Sequence, residues 1–92
     1  GGDRFQVFDV RGKTLLIWRL VWDSPQDADE FEAAALARLR GWGQPLPPRG
    51  EFRSFEAKPW RAVFGRRAGG FDYVSSDDPA LADLAVKALA QP

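Results

Sequence analysis

The first part of the chain alternates between apolar and polar residues in the way of two strands joined by a tight turn. In RFQVFDV (residues 4–10), Phe5 and Val7 alternate with Gln6, Phe8 and Val10, which predicts a strand. Gly12 follows and suits a hairpin turn. The next run, TLLIWRLVW (residues 14–22), is apolar on both of its faces, which is typical of a strand covered on both sides. Trp18 and Trp22 share one of these faces because side chains alternate along a strand.

The segment after the second strand predicts a helix. Ser24 is a preferred N-cap residue, Pro25 suits the first helical position, and Asp27 lies three residues after the cap. At about 100° per residue, one stripe of the helix collects apolar side chains. These are Ala28, Phe31, Ala35, Leu39 and Trp42, with Leu36 at the edge of the stripe. The stripe predicts that the helix packs on a sheet and ends near Gly41.

The second half of the chain predicts three more strands and a second helix. The strands follow a connector rich in Gly and Pro, at residues 51–57, 60–67 and 71–76. Asp78 and Pro79 open the second helix. Its predicted inner face carries Leu81, Leu84, Ala85 and Ala88. The order β-β-α-β-β-β-α predicts an α+β fold with a mostly antiparallel sheet of four to five strands and two helices.

Length and composition agree with one globular domain over residues 1–92. The hydrophobic fraction of 45% and the aromatic fraction of 13% exclude a disordered chain. Thirteen basic residues balance thirteen acidic residues, so no net charge draws the chain to nucleic acid or to an anionic membrane. No run reaches the ~20 apolar residues that a membrane-spanning helix needs.

The sequence contains neither Cys nor His. This composition excludes Ser-His-Asp and Cys-His catalysis within the chain, and it excludes zinc sites built on His or Cys. Carboxylate chemistry, hard-metal sites and binding remain open. We therefore expect no cofactor and favour a non-enzymatic role, with a carboxylate-based or hard-metal enzyme as an alternative.

Arg19 interrupts the apolar second strand, where an unpaired buried charge is costly. One interpretation is an anion-binding arginine in a pocket. The favoured interpretation is that Arg19 pairs with a carboxylate such as Asp9 or Asp72, or extends its charged group past the edge of the sheet into water.

Carboxylates also cluster around the start of the first helix, where they form a candidate hard-cation site. They are Asp23, Asp27, Asp29, Glu30 and Glu32. The cluster lacks the D-x-D-x-D-G spacing of a calcium loop, and capping and the helix dipole account for most of these acids. We expect no metal site here. A second polar loop, residues 75–78, is accounted for by Asp78 as an N-cap.

Basic and aromatic residues alternate between positions 49 and 67, as they do in single-strand nucleic-acid platforms. The basic residues are Arg49, Arg53, Lys58, Arg61, Arg66 and Arg67. The aromatic residues are Phe52, Phe55, Trp60 and Phe64. A half-buried sheet has the same pattern, and the neutral total charge argues against strong phosphate binding. A nucleic-acid-binding module is therefore an alternative rather than the leading prediction.

Two blocks carry a family resemblance: GGDRF (residues 1–5) and WDSPQDADEF (residues 22–31). They resemble blocks in the C-terminal part of a family of extracytoplasmic, metallopeptidase-like bacterial and archaeal proteins of unassigned function. The resemblance implies export and a longer parent protein of which this chain is the C-terminal portion. The His-Glu-x-x-His helix of those proteins has no counterpart here, so their metal chemistry is not carried over. The Ala, Arg and Pro bias suggests a thermophilic source.

The leading prediction is a non-catalytic accessory or interaction domain of a larger, exported protein. Four tryptophans in 92 residues favour an aromatic interface. The expected partner is the upstream domain of the same protein or a second copy of the chain, with Trp42 or Trp60 as the anchor. The candidate binding residues are Arg19, Trp42, Trp60, Arg61 and Arg66.

Overall fold

The computed structural model describes residues 2–22, 24–67 and 69–91. Within these residues the chain forms six strands and two helices. In chain order they are β1 (Gly2–Val10), β2 (Lys13–Val21), α1 (Pro25–Trp42), β3 (Gln44–Pro45), β4 (Phe52–Ala57), β5 (Trp60–Arg67), β6 (Gly70–Ser76) and α2 (Pro79–Ala90). No helix in this described part is both long enough and apolar enough to cross a membrane.

The strands form one antiparallel sheet in the order β1-β2-β6-β5-β4-β3. The predicted α+β class is confirmed, but the predicted four to five strands are too few. The additional strand is β3, in which Gln44 and Pro45 pair with Glu56 and Phe55 of β4. A two-residue strand in a connector rich in Gly and Pro has no period of its own, so the pattern of apolar residues does not predict it.

The helix α1 packs on one face of the sheet around Phe31. The Phe31 ring lies 5.3 Å from the Trp22 ring and 6.5 Å from the Trp18 ring, centroid to centroid. The predicted shared face of these two tryptophans is confirmed. Phe64 and Phe71 continue the cluster, with stacked rings 5.1 Å apart. Aromatic pairs in such geometry add to the stabilisation that burial provides.

The predicted apolar stripe of α1 is confirmed along most of its length. Its buried or half-buried members are Ala28, Phe31, Ala35, Leu36 and Leu39. Ser24 is the N-cap, and its Oγ accepts a hydrogen bond from the Asp27 backbone N–H at 3.4 Å. The helix continues past Gly41, and Gly43 is its C-cap. The predicted stop at Gly41 is therefore early by about half a turn.

The helix α2 packs on the opposite face, and its predicted inner side is correct at Ala85 but wrong at Leu84 and Ala88, which are exposed. The side chains that reach this core are Ala82, Ala85, Val86 and Leu89, against Val63 and Val74 of the sheet. Leu84 is 64% exposed. Small residues at positions 82 and 85 let the helix approach the sheet closely, and Asp83 pairs with Arg61 of β5 at 3.4 Å. Both contacts favour a rotation that turns Leu84 outwards.

The polar residues 75–78, predicted as a loop, span the end of β6 and the N-cap of α2 and connect both to β2. Asp77 Oδ1 accepts a hydrogen bond from the Thr14 backbone N–H at 2.8 Å. The Ser76 hydroxyl donates to the Thr14 carbonyl at 2.6 Å. Asp78 caps α2, as predicted, by accepting from the Ala80 backbone N–H at 3.0 Å. These polar groups therefore hold two elements together that are far apart in the sequence.

Candidate interaction surface

The strand β1 forms one edge of the sheet and carries apolar side chains on both of its faces. Phe5 and Val7 lie on the α1 face and are 58% and 57% exposed. Phe8 and Val10 lie on the α2 face and are also exposed. A continuous apolar surface of this kind is typical of an interaction site.

The position of β1 follows from its hairpin with β2. Arg11 and Gly12 form the turn with φ values of 54° and 81°, the left-handed conformation that a type I′ turn requires. Asp9 Oδ1 accepts a hydrogen bond from the Gly12 backbone N–H at 3.1 Å. The residues of the sheet that pack under the two helices belong to β2, β4, β5 and β6 or directly follow β2. The hairpin therefore carries β1 beyond the area that the helices cover.

A groove of about 510 Å³ lies beside α1, and its lining reaches β2, the strand next to β1. Trp18, Tyr73 and Trp42 are among its lining residues. Phe5 is the cross-strand neighbour of Trp18, and the indole Nε1 of Trp18 donates to Asp3 Oδ2 at 3.2 Å. The apolar surface thus runs from β1 into the groove.

The predicted anchors Trp42 and Trp60 lie in different places. Trp42 ends α1 and lines the groove with an exposed side chain. Trp60 begins β5, three strands away from β1 in the sheet, and is exposed there. The structure therefore joins Trp42, but not Trp60, to the surface of β1.

Arg19 pairs with Asp72, which is one of the two partners that the sequence predicts. The guanidinium Nε of Arg19 donates to Asp72 Oδ1 at 2.9 Å, and Nε of Arg67 donates to the same oxygen at 3.0 Å. The Asp72 side chain is only 3% exposed. Two charge-assisted hydrogen bonds satisfy this buried carboxylate, so Arg19 has a structural role. The sequence pattern does not indicate the contribution of Arg67.

Arg61 joins β5 to both β4 and α2. Its guanidinium donates to Glu56 Oε2 at 2.9 Å and approaches Asp83 Oδ1 at 3.4 Å. The hydrogen bond to Glu56, followed by the charge of Asp83, raises the pKa of Arg61. The arrangement fastens the second helix to the sheet, and the binding role predicted for Arg61 stays a prediction.

Arg66 joins β5 to the first turns of α1 through the acidic cluster. Its guanidinium pairs with Asp29 and lies 3.5 Å from Glu32 Oε1, and it also sits 5.8 Å above the centre of the Phe71 ring. The hydrogen bond to Asp29 raises the pKa of Arg66. Asp23, the first acid of the predicted cluster, lies outside the described residues. Among the described residues, no three potential metal ligands come together.

The basic residues of positions 49–67 are divided between the two faces of the sheet. The strand registers place Arg53 and Arg66 on the α1 face and Arg61 and Arg67 on the α2 face. The aromatic rings of Phe55 and Phe64 are buried under α1. The alternation in the sequence thus reflects a half-buried sheet, whose arginines are not gathered on one face.

A family model described as Domain of unknown function (DUF8575) matches residues 1–84, so the chain belongs to this family. No curated protein matches the chain, and no solved structure matches it. The matched residues include the β1–β2 hairpin, the whole sheet and the first half of α2. The metallopeptidase-like context stays a prediction, because the family description assigns no activity.

Proposed function

We propose that this DUF8575 chain is a non-catalytic interaction domain that binds another protein through β1. The observation that carries the proposal is the nine-residue edge strand, which is apolar and exposed on both faces. Edge strands offer unpaired backbone groups to any other strand, and natural proteins commonly protect them. An exposed apolar edge is therefore best explained by a partner that covers it.

The backbone of β1 is oriented for the addition of a strand. In the two-residue turn, the Val10 carbonyl faces the Lys13 N–H, so Val10 directs its backbone groups towards β2. The backbone orientation alternates along a strand, so the residues at the odd positions of β1, which include Phe5 and Val7, face away from β2. Their N–H and C=O groups point away from the sheet. Recognition by strand addition uses such main-chain groups for affinity and the alternating side chains for specificity.

The side chains around β1 supply the apolar part of the interface. Phe5 lies beside Trp18, which lines the groove together with Trp42. Aromatic residues at the centre of an interface commonly contribute most of its binding energy. Trp42 is therefore the predicted anchor that this proposal retains, and Trp60 stays a separate prediction.

The charged candidates support a binding role over a catalytic one. Arg19, Arg61 and Arg66 each pair with carboxylates of neighbouring elements. These pairs place the helices and strands that frame the apolar surface. In the context expected from the sequence blocks, the chain is an accessory domain of a larger, exported protein.

The test is sedimentation of the chain alone and in mixtures with the protein segment encoded upstream. Val7→Lys places a charge on the exposed edge, and we expect it to reduce association in whichever of the two experiments shows it. Leu84→Lys is the matched control, because Leu84 is equally accessible but lies on α2. Association that is unchanged by Val7→Lys, or no association in either experiment, would contradict the proposal.

A further inference from the structure

We infer that the partner of β1 is a second copy of this chain, paired antiparallel about a two-fold axis that passes beside Val7. The inference rests on the proposed function and names the partner. The pairing would join two six-stranded sheets into one continuous sheet. Closed two-fold dimers of this kind are the commonest form of self-association.

The geometry of β1 restricts the possible registers. Two residues that lie directly opposite each other in an antiparallel pair have their side chains on the same face of the sheet. A symmetric pairing of β1 with its copy must therefore place one residue opposite the same residue of the second copy. The register centred on Gln6 pairs all nine residues of β1, and the registers centred on Phe5 and on Val7 pair seven each, residues 2–8 and 4–10. Registers centred elsewhere leave more of the edge uncovered.

Charge distinguishes these three registers. With Phe5 at the centre, Asp3 of each copy lies opposite Val7 of the other and gains no charged partner. With Gln6 at the centre, Asp3 of each copy lies opposite Asp9 of the other, and like charges in direct opposition are destabilising. With Val7 at the centre, Asp3 of each copy lies opposite Arg11 of the other, at the turn that follows β1. Because of the two-fold symmetry, the dimer contains two such pairs of Asp3 with Arg11. The Val7 register is therefore the self-complementary one.

The same register also matches the apolar and main-chain groups. Val7 faces its own copy on the α1 face, and its outward N–H and C=O can be exchanged with that copy. On the α2 face, Phe8 lies opposite Gln6 of the second copy and diagonally beside the second Phe8. Diagonal neighbours in a sheet are about 7–8 Å apart, within reach of aromatic rings. Both exposed faces of β1 thus gain an apolar contact.

A charge-exchange experiment tests the register. Asp3→Arg alone and Arg11→Asp alone each place like charges opposite each other twice, so we expect the dimer dissociation constant of each to rise at least about tenfold. An equimolar mixture of the two variants restores both attractive pairs, and we expect it to form a heterodimer. Aspartate tolerates the left-handed turn conformation at position 11. Lys13→Asp is the matched control, since it makes the same charge change on β2.

Crosslinking tests the two-fold axis directly. The chain contains no cysteine, so Val7→Cys introduces a single thiol. Facing Cα atoms of a hydrogen-bonded pair are about 5.5 Å apart, within the range of a disulfide or a short thiol crosslinker. We expect Val7→Cys to form a covalent dimer. Phe5→Cys is equally exposed but lies opposite Asp9 of the second copy, so we expect it to crosslink poorly.

The outcomes separate this inference from the proposed function. A heterodimer from the mixed charge variants, together with crosslinking at position 7 but not 5, supports the inference. If Val7→Lys disrupts the dimer but Asp3→Arg and Arg11→Asp leave its dissociation constant unchanged, the Val7 register is wrong. A monomeric chain that binds the upstream segment through β1 overturns the second copy as partner and leaves the proposed function standing. A dimer that is insensitive to every β1 variant overturns both.

Discussion

β3 and β1 form opposite edges of one sheet, and they differ in length and in what they expose. β3 has two residues, one of which is Pro45, whereas β1 has nine residues without proline. Short edge strands and proline are among the devices by which proteins prevent unwanted strand pairing. The chain therefore protects one edge and leaves the other open, which is the difference expected if the open edge has a partner.

The two edges also differ in their relation to the core. The strand next to β3 contributes Phe55 to the core under α1, and α1 lies against that strand. β1 contributes no residue to either core cluster within the described residues. It is held by its ladder with β2 and by the hydrogen bond from Trp18 to Asp3. Folding should thus depend on the centre of the sheet and association on β1, and the two should be separable by substitution.

The largest expected effect contrasts two phenylalanines. Phe71 is fully buried between Phe31 and Phe64, with ring centroids 5.4 and 5.1 Å away. Phe71→Ala should lower the free energy of unfolding by about 3–5 kcal/mol, because it removes buried surface and leaves a cavity. Phe5→Ala at the open edge should change it by less than about 0.5 kcal/mol. Chemical denaturation measures both, and equal losses would place β1 in the core.

The second prediction concerns Asp72, whose carboxylate joins β6 to β2, the strand that holds β1. Asp72→Asn leaves Arg19 and Arg67 without their shared anion, and both are partly exposed. The free energy of unfolding should therefore fall by about 1–3 kcal/mol, less than for a fully buried pair. Asp83→Asn, which affects a more exposed pair, should cost under about 1 kcal/mol. Equal losses in the two variants would contradict a special role for Asp72.

Features that depend only on residues close together in the chain could be predicted from the sequence. Ser24 and Asp78 cap their helices as expected, and Gly12 lies in the hairpin turn. The rotation of α2 could not be predicted, because it depends on the sheet surface and on Arg61, which lies far from Leu84 in the chain. Leucine favours burial in general, and the contacts of this helix override that preference.

The candidate site was predictable only in part for the same reason. A charge within an apolar strand favours an anionic partner, but the choice of Asp72 over Asp9 follows from the strand registers. They place Asp72 directly opposite Arg19 and Asp9 opposite Thr14, near the other end of β2. The exposure of β1 also follows from the order of the strands. Its apolar residues, Phe5 and Val7 on one face and Phe8 and Val10 on the other, would equally suit a strand that is covered. The local sequence of a strand does not determine whether the strand lies at the centre or at the edge of its sheet.

The third prediction compares the two edges within one experiment. Amide hydrogen exchange reports local protection, and pairing with a second strand protects the groups that face it. At high protein concentration, the amide of Val7 should exchange at least about tenfold more slowly than at low concentration. The amide of Gln44 on β3 should not change, because it faces β4, on the same side as the Leu46 N–H that donates to the Ser54 carbonyl. Equal slowing at both edges would indicate general aggregation, and no slowing at Val7 would contradict self-association through β1.

The smallest expected effect comes from Leu84, which separates a specific edge from general surface hydrophobicity. Leu84 is 64% exposed, more than Phe5 at 58%, but it lies on α2 away from β1. Leu84→Gln should change the free energy of unfolding by less than about 0.5 kcal/mol and leave sedimentation unchanged. Ala82→Leu, on the buried side of the same helix, should cost about 1–3 kcal/mol by overpacking. If Leu84→Gln reduced association as strongly as the β1 variants do, association would depend on exposed apolar residues in general. That result would contradict β1 as the specific binding surface.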